Sequence, residues 1–164
     1  MIECRILDVE CVLQEKTLTW SFRTDLPIET IMMISCFRYY KDFEGRQFKW
    51  PIYEDRVFCQ PTTGNYNGNN GEIDLELAES DSIQSIFDIH TEDWRGIMLS
   101  VYDAIHFRCH LVPYQRERLD DFGENNKELS GPEVYQNGDC FFVTQELSLS
   151  YTSKKYKRTT RRST

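Results

Sequence analysis

The sequence predicts an all-β fold, a mainly antiparallel β-sandwich with one short helix. Three observations carry this expectation. Apolar residues recur at every second position in most segments, the mark of half-buried strands. Short links such as Gln14-Glu15-Lys16 and Asn137-Gly138 read as hairpin turns. The 164 residues, 40% hydrophobic and 13% aromatic, fit one domain with a packed core, far from the composition of disordered chains.

Taken in order, the opening segment is apolar at Ile2, Cys4 and Ile6 and then at Leu7, Val9, Cys11 and Leu13. The parity slips by one at Ile6-Leu7, as a β-bulge or a crossing between sheets would require. In TLTWSFR, Leu18, Trp20 and Phe22 face one way and polar residues the other. TIMMISCFRYY is apolar on both parities, which fits a central strand covered on both faces or one leaving the core for an interface. Further strands are expected near 46–53, 55–60, 72–77, 97–102, 105–112 and 132–136. A helix is expected from Ser80 or Ser82, with Ile83, Ile86, Phe87 and His90 at helical spacing. Residues 113–132 read as the main irregular loop and a place for partner contact. The last strand is FFVTQELSLSY, where Phe141, Val143, Leu147, Leu149 and Tyr151 share one parity. The domain is expected to span 1–152, followed by a flexible basic tail, 153–164.

The stretch RTDLPIETIMMISCFRYY resembles the opening strand of small bacterial immunoglobulin-like or C2-like sandwich domains. There, Asn-Leu-Pro-Asp-Gly-Thr precedes an alternating apolar strand that ends near an Arg. Asp25, Leu26, Pro27, Thr30 and Arg38 match, while Ile28 and Glu29 stand where Asp-Gly would be. GIMLSVYDA, 96–104, looks like the first strand of C2 domains. The resemblance covers residues 23–40 and 96–104 only; it implies an immunoglobulin-like or C2-like sandwich and transfers no functional residue.

Charge is unevenly placed. The last eleven residues, KKYKRTTRRST, carry six basic residues and no acid, leaving 13 basic against 27 acidic in the rest. The body is therefore at −14 and the tail at +6, so the body is expected to repel nucleic acid. MIECRILDVECVL has no basic region ahead of an apolar run, and no window reaches the roughly 18 apolar residues of a membrane span. A soluble, cytoplasmic protein is expected. Six cysteines, at 4, 11, 36, 59, 109 and 140, contain no C-x-x-C and read as reduced, mostly buried thiols. Three disulfides in a secreted chain are the alternative.

Each candidate for chemistry meets a plainer account. GNYNGNNGEIDLEL, from Gly64, has the look of a calcium loop, but no frame satisfies it. Gly71 at position 6 leaves Tyr66, Gly68 and Leu77 at positions 1, 3 and 12, and the frame with Asn65, Asn67 and Asn69 puts Asn70 where Gly is needed. The stretch reads as a turn between strands. His106 and His110 have a metal spacing only on a helix; on a strand they lie about 13 Å apart, and they read as solvated or edge histidines. Cys109 and His110 are neighbours on a strand, so they point to opposite faces and cannot form a nucleophile and base pair. Asp88, Asp93, Asp103, Asp120 and Asp121 could converge on calcium at one end of a sandwich, but read as solvated loop carboxylates.

No catalytic motif stands out, so no enzyme activity, metal or cofactor is expected. The expectation is a non-enzymatic binding module, an accessory or adaptor subunit of a protein or ribonucleoprotein assembly. Its contacts are assigned to the tail, at Lys154, Lys155, Tyr156, Lys157, Arg158, Arg161 and Arg162, and to the loop, at Tyr114, Arg116, Arg118 and Phe122. The tail is also suited to an acidic protein groove or an anionic membrane. A C2-like calcium- or lipid-binding module and an acidic inhibitor of a basic nucleic-acid groove are the alternatives.

Overall fold

The two-residue periodicity resolves into two facing antiparallel sheets in a computed structural model that describes residues 1–41, 45–81 and 100–151. The smaller sheet runs β2 (Leu7–Gln14), β3 (Thr17–Thr24), β7 (Asn67–Asp74), β6 (Gln60–Pro61). The larger runs β13 (Thr144–Ser150), β9 (Ala104–Leu111), β4 (Ile31–Lys41), β5 (Gln47–Phe58), with the short β8 (Ser100–Val101) also on β4. Leu18, Trp20, Phe22 and Ile73 from one sheet meet Met32, Ile34, Ile105, Phe107 and Leu111 from the other in a single core. The Trp20 and Phe107 rings stack across it at 6.0 Å.

The parity slip at Ile6-Leu7 is a crossing between sheets. β1 (Ile2–Glu3) pairs in parallel with β10 (Leu129–Ser130), whereas β2 pairs with β3. Between them, the Asp25 carboxylate accepts from the backbone N–H groups of Arg5 and Ile6, which belong to neither ladder. The expected hairpins form: β2 enters β3 through Glu15 at φ 57°, and β11 (Tyr135–Asn137) enters β12 (Cys140–Phe142) through Gly138 at φ 62°.

Three expectations are corrected. First, the strands expected near 46–53 and 55–60 are one strand, β5, in which Ile52 is an extra residue between the pairs Cys36 with Tyr53 and Phe37 with Pro51. The bulge reverses the parity of the apolar residues and so imitates a break. Second, the Asn- and Gly-rich stretch is mostly strand. The turn is confined to 62–66, closed by Thr62 donating to the Tyr66 carbonyl, and Asn67 to Asp74 pair with β3 along their whole length. Small residues are needed there because β3 is crowded. A Cβ on Gly68 would lie 1.9 Å from the Phe22 carbonyl oxygen, and one on Gly71 would lie 2.8 Å from the Trp20 ring. Asn67 and Asn69 add side-chain hydrogen bonds to the carbonyls of Leu26 and Phe58. Third, the helix begins earlier than Ser80. It occupies 75–81 (α1), with Asp74 accepting from the Leu77 N–H as its cap. The remainder of the expected helix, with Ile83, Ile86, Phe87 and His90, lies outside the described residues, as does 97–99.

One turn of α1 carries a charge into the core. Leu75 and Glu79, four residues apart, share its buried face. Both Glu79 oxygens accept from Arg38 Nη1 at 2.9 Å, and both side chains are fully buried. Arg38 also donates to the carbonyls of Tyr102, Ala104 and Tyr151, its guanidinium lies 4.9 Å from the centre of the Tyr151 ring, and Tyr40 donates to Glu79 at 2.6 Å. This network ties β4, α1, the start of β9 and the end of β13 to one another.

The six cysteines are unbridged, with Cys4, Cys36, Cys59 and Cys109 buried. Burial pushes the thiol of Cys4 up to about 11 and those of Cys11 and Cys59 up to about 12, and raises Cys36 and Cys109 as well. The thiols are therefore held protonated and unreactive. No helix among the described residues is long and apolar enough to cross a membrane.

Candidate functional site

The pleat of the larger sheet sends alternate residues inward to the core and outward. On β4 the outward set includes Phe37, Tyr39 and Lys41; on β9 it is His106, Arg108 and His110; on β5 it includes Lys49, Glu54 and Arg56; on β13 it includes Glu146 and Ser148. These strands bring four basic residues and two acids to one face of a strongly acidic chain. The outward set of the smaller sheet is the reverse: Asp8, Glu10, Glu72 and Asp74 stand against Arg23. The sandwich thus separates its charge into two faces, which net charge alone conceals.

The centre of the basic face is aromatic. Phe37 and His106 stack at 5.0 Å with 10° between their planes, and Tyr39 meets His106 edge-on at 5.4 Å. Lys49 Nζ sits 3.9 Å from the centre of the Phe37 ring and the Arg108 guanidinium 5.0 Å from it, so two cations lie over one π-face. Together these neighbours leave Phe37 only 3% exposed, although it points outward. Arg108 is also paired with Glu146 at 3.1 Å, whereas Lys41 lies over the Tyr102 ring at 6.0 Å and stays exposed with Lys49.

The face does not have the makings of a nucleophilic centre. Ser148 Oγ lies 2.8 Å from His106 Nδ1. Among the described residues no carboxylate hydrogen-bonds that imidazole, so the third group that orients a catalytic base is missing. Nor do any three His, Cys, Asp or Glu side chains of the described residues gather closely enough to hold a metal ion. Asp103 lies at the Lys41 end of β4, where Tyr102 bonds to Tyr39. Asp121 lies at the Ile31 end, where Arg118, its partner, donates to the Ile28 carbonyl. The two carboxylates are therefore separated by most of an 11-residue strand, on the order of 30 Å, and cannot share an ion. Asp88 and Asp93 lie outside the described residues.

The histidines are not edge residues, because β9 runs between β13 and β4. His110 is half-buried opposite Met33 and Thr144, and its Nδ1 has no hydrogen-bond partner. Burial and then the charge of Arg108 lower its pKa from the ordinary 6.5. Well above pH 6.5 both folded and unfolded states hold it neutral. As pH falls through 6.5 the unfolded chain takes up a proton that the folded chain resists, so stability is lost below that value. The loss is limited to about 1.4 kcal/mol per pH unit. We expect urea midpoints to fall between about pH 7.5 and about pH 5.5 in the wild type, and to fall less in His110→Gln. An equal fall in both would show that His110 does not contribute.

The segment 113–132 is folded rather than irregular. It forms a 3₁₀ turn at Arg116–Arg118, α2 (Leu119–Phe122), a second 3₁₀ turn at Glu124–Asn126, and β10. Buried Gln115 bonds the N–H and carbonyl of Ile31 and the carbonyl of Val112, and buried Asn126 donates to the carbonyls of Val112 and Phe141. Of the expected contact residues, Tyr114 and Arg116 are exposed, while Arg118 is held by Asp121 and the Ile28 carbonyl. Phe122 is a correction: it is fully buried in the core, because α2 turns its one aromatic residue inward to close the end of the sandwich. Lys154, Lys155, Tyr156, Lys157, Arg158, Arg161 and Arg162 lie outside the described residues. The strand that leads to them ends at Tyr151, at the Lys41 end of the larger sheet and so at the opposite end from Tyr114 and Arg116.

Sequence reasoning missed the aromatic and basic face. Its signal was present in part: the outward parity of AIHFRCHL is His106, Arg108 and His110, an unusual solvent face for an acidic chain. The pairing that sets Phe37 beside His106 is not written in either strand alone. Comparison with protein-family models and with curated protein sequences returns no match.

Proposed function

We propose that this chain is a non-enzymatic binding module, an accessory or adaptor subunit of a protein or ribonucleoprotein assembly, whose contact surface is the outer face of the larger sheet. The observation that carries this reading is the stack of Phe37, His106 and Tyr39 under the cations of Lys49 and Arg108, on a chain of net charge −8. Aromatic rings bearing cations supply area and charge without holding a reaction centre. The basic tail, leaving from the same sheet, adds electrostatic attraction. Cytoplasmic residence suits the reading, because the cysteines are unbridged.

The test is capture from native lysate by the immobilised full chain, at low and high salt. A specific partner is expected to be retained by the wild type and by Glu10→Lys, which alters the acidic face, and lost with Lys41→Glu/Lys49→Glu. A partner insensitive to the double substitution would remove the sheet face from the reading. A second reading, an acidic inhibitor seated in a basic nucleic-acid groove, is favoured by the opposite face with Asp8, Glu10, Glu72 and Asp74. In that case Glu10→Lys is the variant that loses capture.

A further inference from the structure

We infer that the outer face of the larger sheet binds single-stranded nucleic acid, with Tyr39 as a stacking platform and Lys41 and Lys49 as phosphate contacts. The inference rests on the binding-module reading and names its partner class. It runs against the −14 charge of the body, which taken as a uniform sphere would repel a polyanion. The charge is not uniform. The acids of the strands gather on the smaller sheet, and the two acids of the basic face stand beside compensating cations: Glu146 is bridged to Arg108, and Glu54 shares its strand and face with Arg56. Lys41 and Lys49 remain without a carboxylate partner in the described ion pairs and lie at the same end of the sheet.

Three features favour a nucleic acid over an acidic peptide. A peptide carboxylate needs only cations, whereas this face sets aromatic rings between them: Tyr39 lies between Lys41 and Phe37 in the outward row of β4, and Tyr102 sits under Lys41. The Phe37 and His106 pair behind Tyr39 is fixed by stacking and by the Ser148 contact, so the platform is held in place before a ligand arrives. Bases stack on such rings without regard to sequence, and spaced lysines track the backbone. Continuity with the tail is the third feature. The basic run begins three residues after Tyr151, whose carbonyl Arg38 anchors at the Lys41 end of the sheet, so covalent reach keeps Lys154 within about 10 Å of it.

The experiment is fluorescence anisotropy of a labelled, mixed-base single strand of about 12 nucleotides, titrated with the purified full chain over a range of salt. Polyglutamate of equal charge is the competitor. Wild type is expected to bind with an affinity that falls with salt, and to resist polyglutamate. Tyr39→Leu keeps apolar bulk at a half-exposed position but removes the ring; it is expected to weaken binding roughly 5- to 150-fold while leaving the salt slope unchanged. Lys41→Gln/Lys49→Gln is expected to reduce the slope of log affinity against log salt by about 1.4, or about 0.7 for each phosphate released. Circular dichroism of each variant confirms that the fold is kept.

Absence of binding by the wild type overturns the inference, as does equal displacement by polyglutamate. So does binding that ignores both sets of face substitutions and disappears when the six tail cations are replaced by Gln in the full-length chain, because the tail alone then suffices. Any of these results leaves the binding-module reading to its own test, since a protein partner captured through Lys41 and Lys49 would still stand.

Discussion

Glu79→Gln is expected to lower the free energy of unfolding by about 3–5 kcal/mol, the cost of leaving a buried charge unpaired. The substitution keeps the shape of the side chain and removes only its charge, so little of the loss comes from a cavity. Arg38 keeps its bonds to the carbonyls of Tyr102, Ala104 and Tyr151, but the two oxygens at 2.9 Å that neutralised it become one neutral amide. Arg38→Met is expected to be at least as harmful, because Glu79 is then buried with only Tyr40 to donate to it among the described residues. The double variant Arg38→Met/Glu79→Leu should recover part of the loss but not all. Replacing both charges by apolar groups removes the desolvation penalty, yet the three carbonyls that Arg38 served are left buried without that donor. Urea denaturation of the four proteins closes the cycle. A Glu79→Gln variant within about 0.5 kcal/mol of wild type would mean that water reaches the pair.

Gly68→Ala is expected to cost about 3 kcal/mol, the upper end of the range for overpacking. The added Cβ would meet the Phe22 carbonyl oxygen at 1.9 Å and the Arg23 Cα at 3.2 Å. These are backbone atoms of the paired strand, so relief requires β7 to move away from β3. Gly71→Ala meets the Trp20 ring at 2.8 Å, a side chain that can shift slightly within the core, and a smaller loss of about 1–2 kcal/mol is expected. The order of the two, read from urea midpoints, tests the register of β3 with β7. If Gly71→Ala proved the more damaging, β7 would be paired differently from the arrangement described.

The fold was readable where one strand suffices to show its own pattern. TLTWSFR buries Leu18, Trp20 and Phe22, as the alternation requires, and Cys109 turns into the core while His110 turns away. TIMMISCFRYY is buried on both parities because β4 is covered by the core on one side and by the side chains of Lys49, Arg108 and His106 on the other. The misreadings arose where the reason lies on another strand. The Asn- and Gly-rich stretch has the local chemistry of a turn, but its glycines answer to Phe22 and Trp20 across the ladder. Phe122 sits in a polar segment, and only the packing of α2 against the core makes it interior.

By itself the sequence determined the class of fold, the hairpins at Glu15 and Gly138, the crossing or bulge after Ile6, and a body and tail of opposite charge. These follow from periodicity, turn chemistry and composition, which are properties of contiguous residues. Only the tertiary structure decided that Arg38 meets Glu79, residues 41 apart, and that Phe37 stacks on His106. It also decided that the acids and bases of the sheets occupy opposite faces. Those outcomes depend on register between distant strands, and a shift of one residue would send each of these side chains to the other side of its sheet.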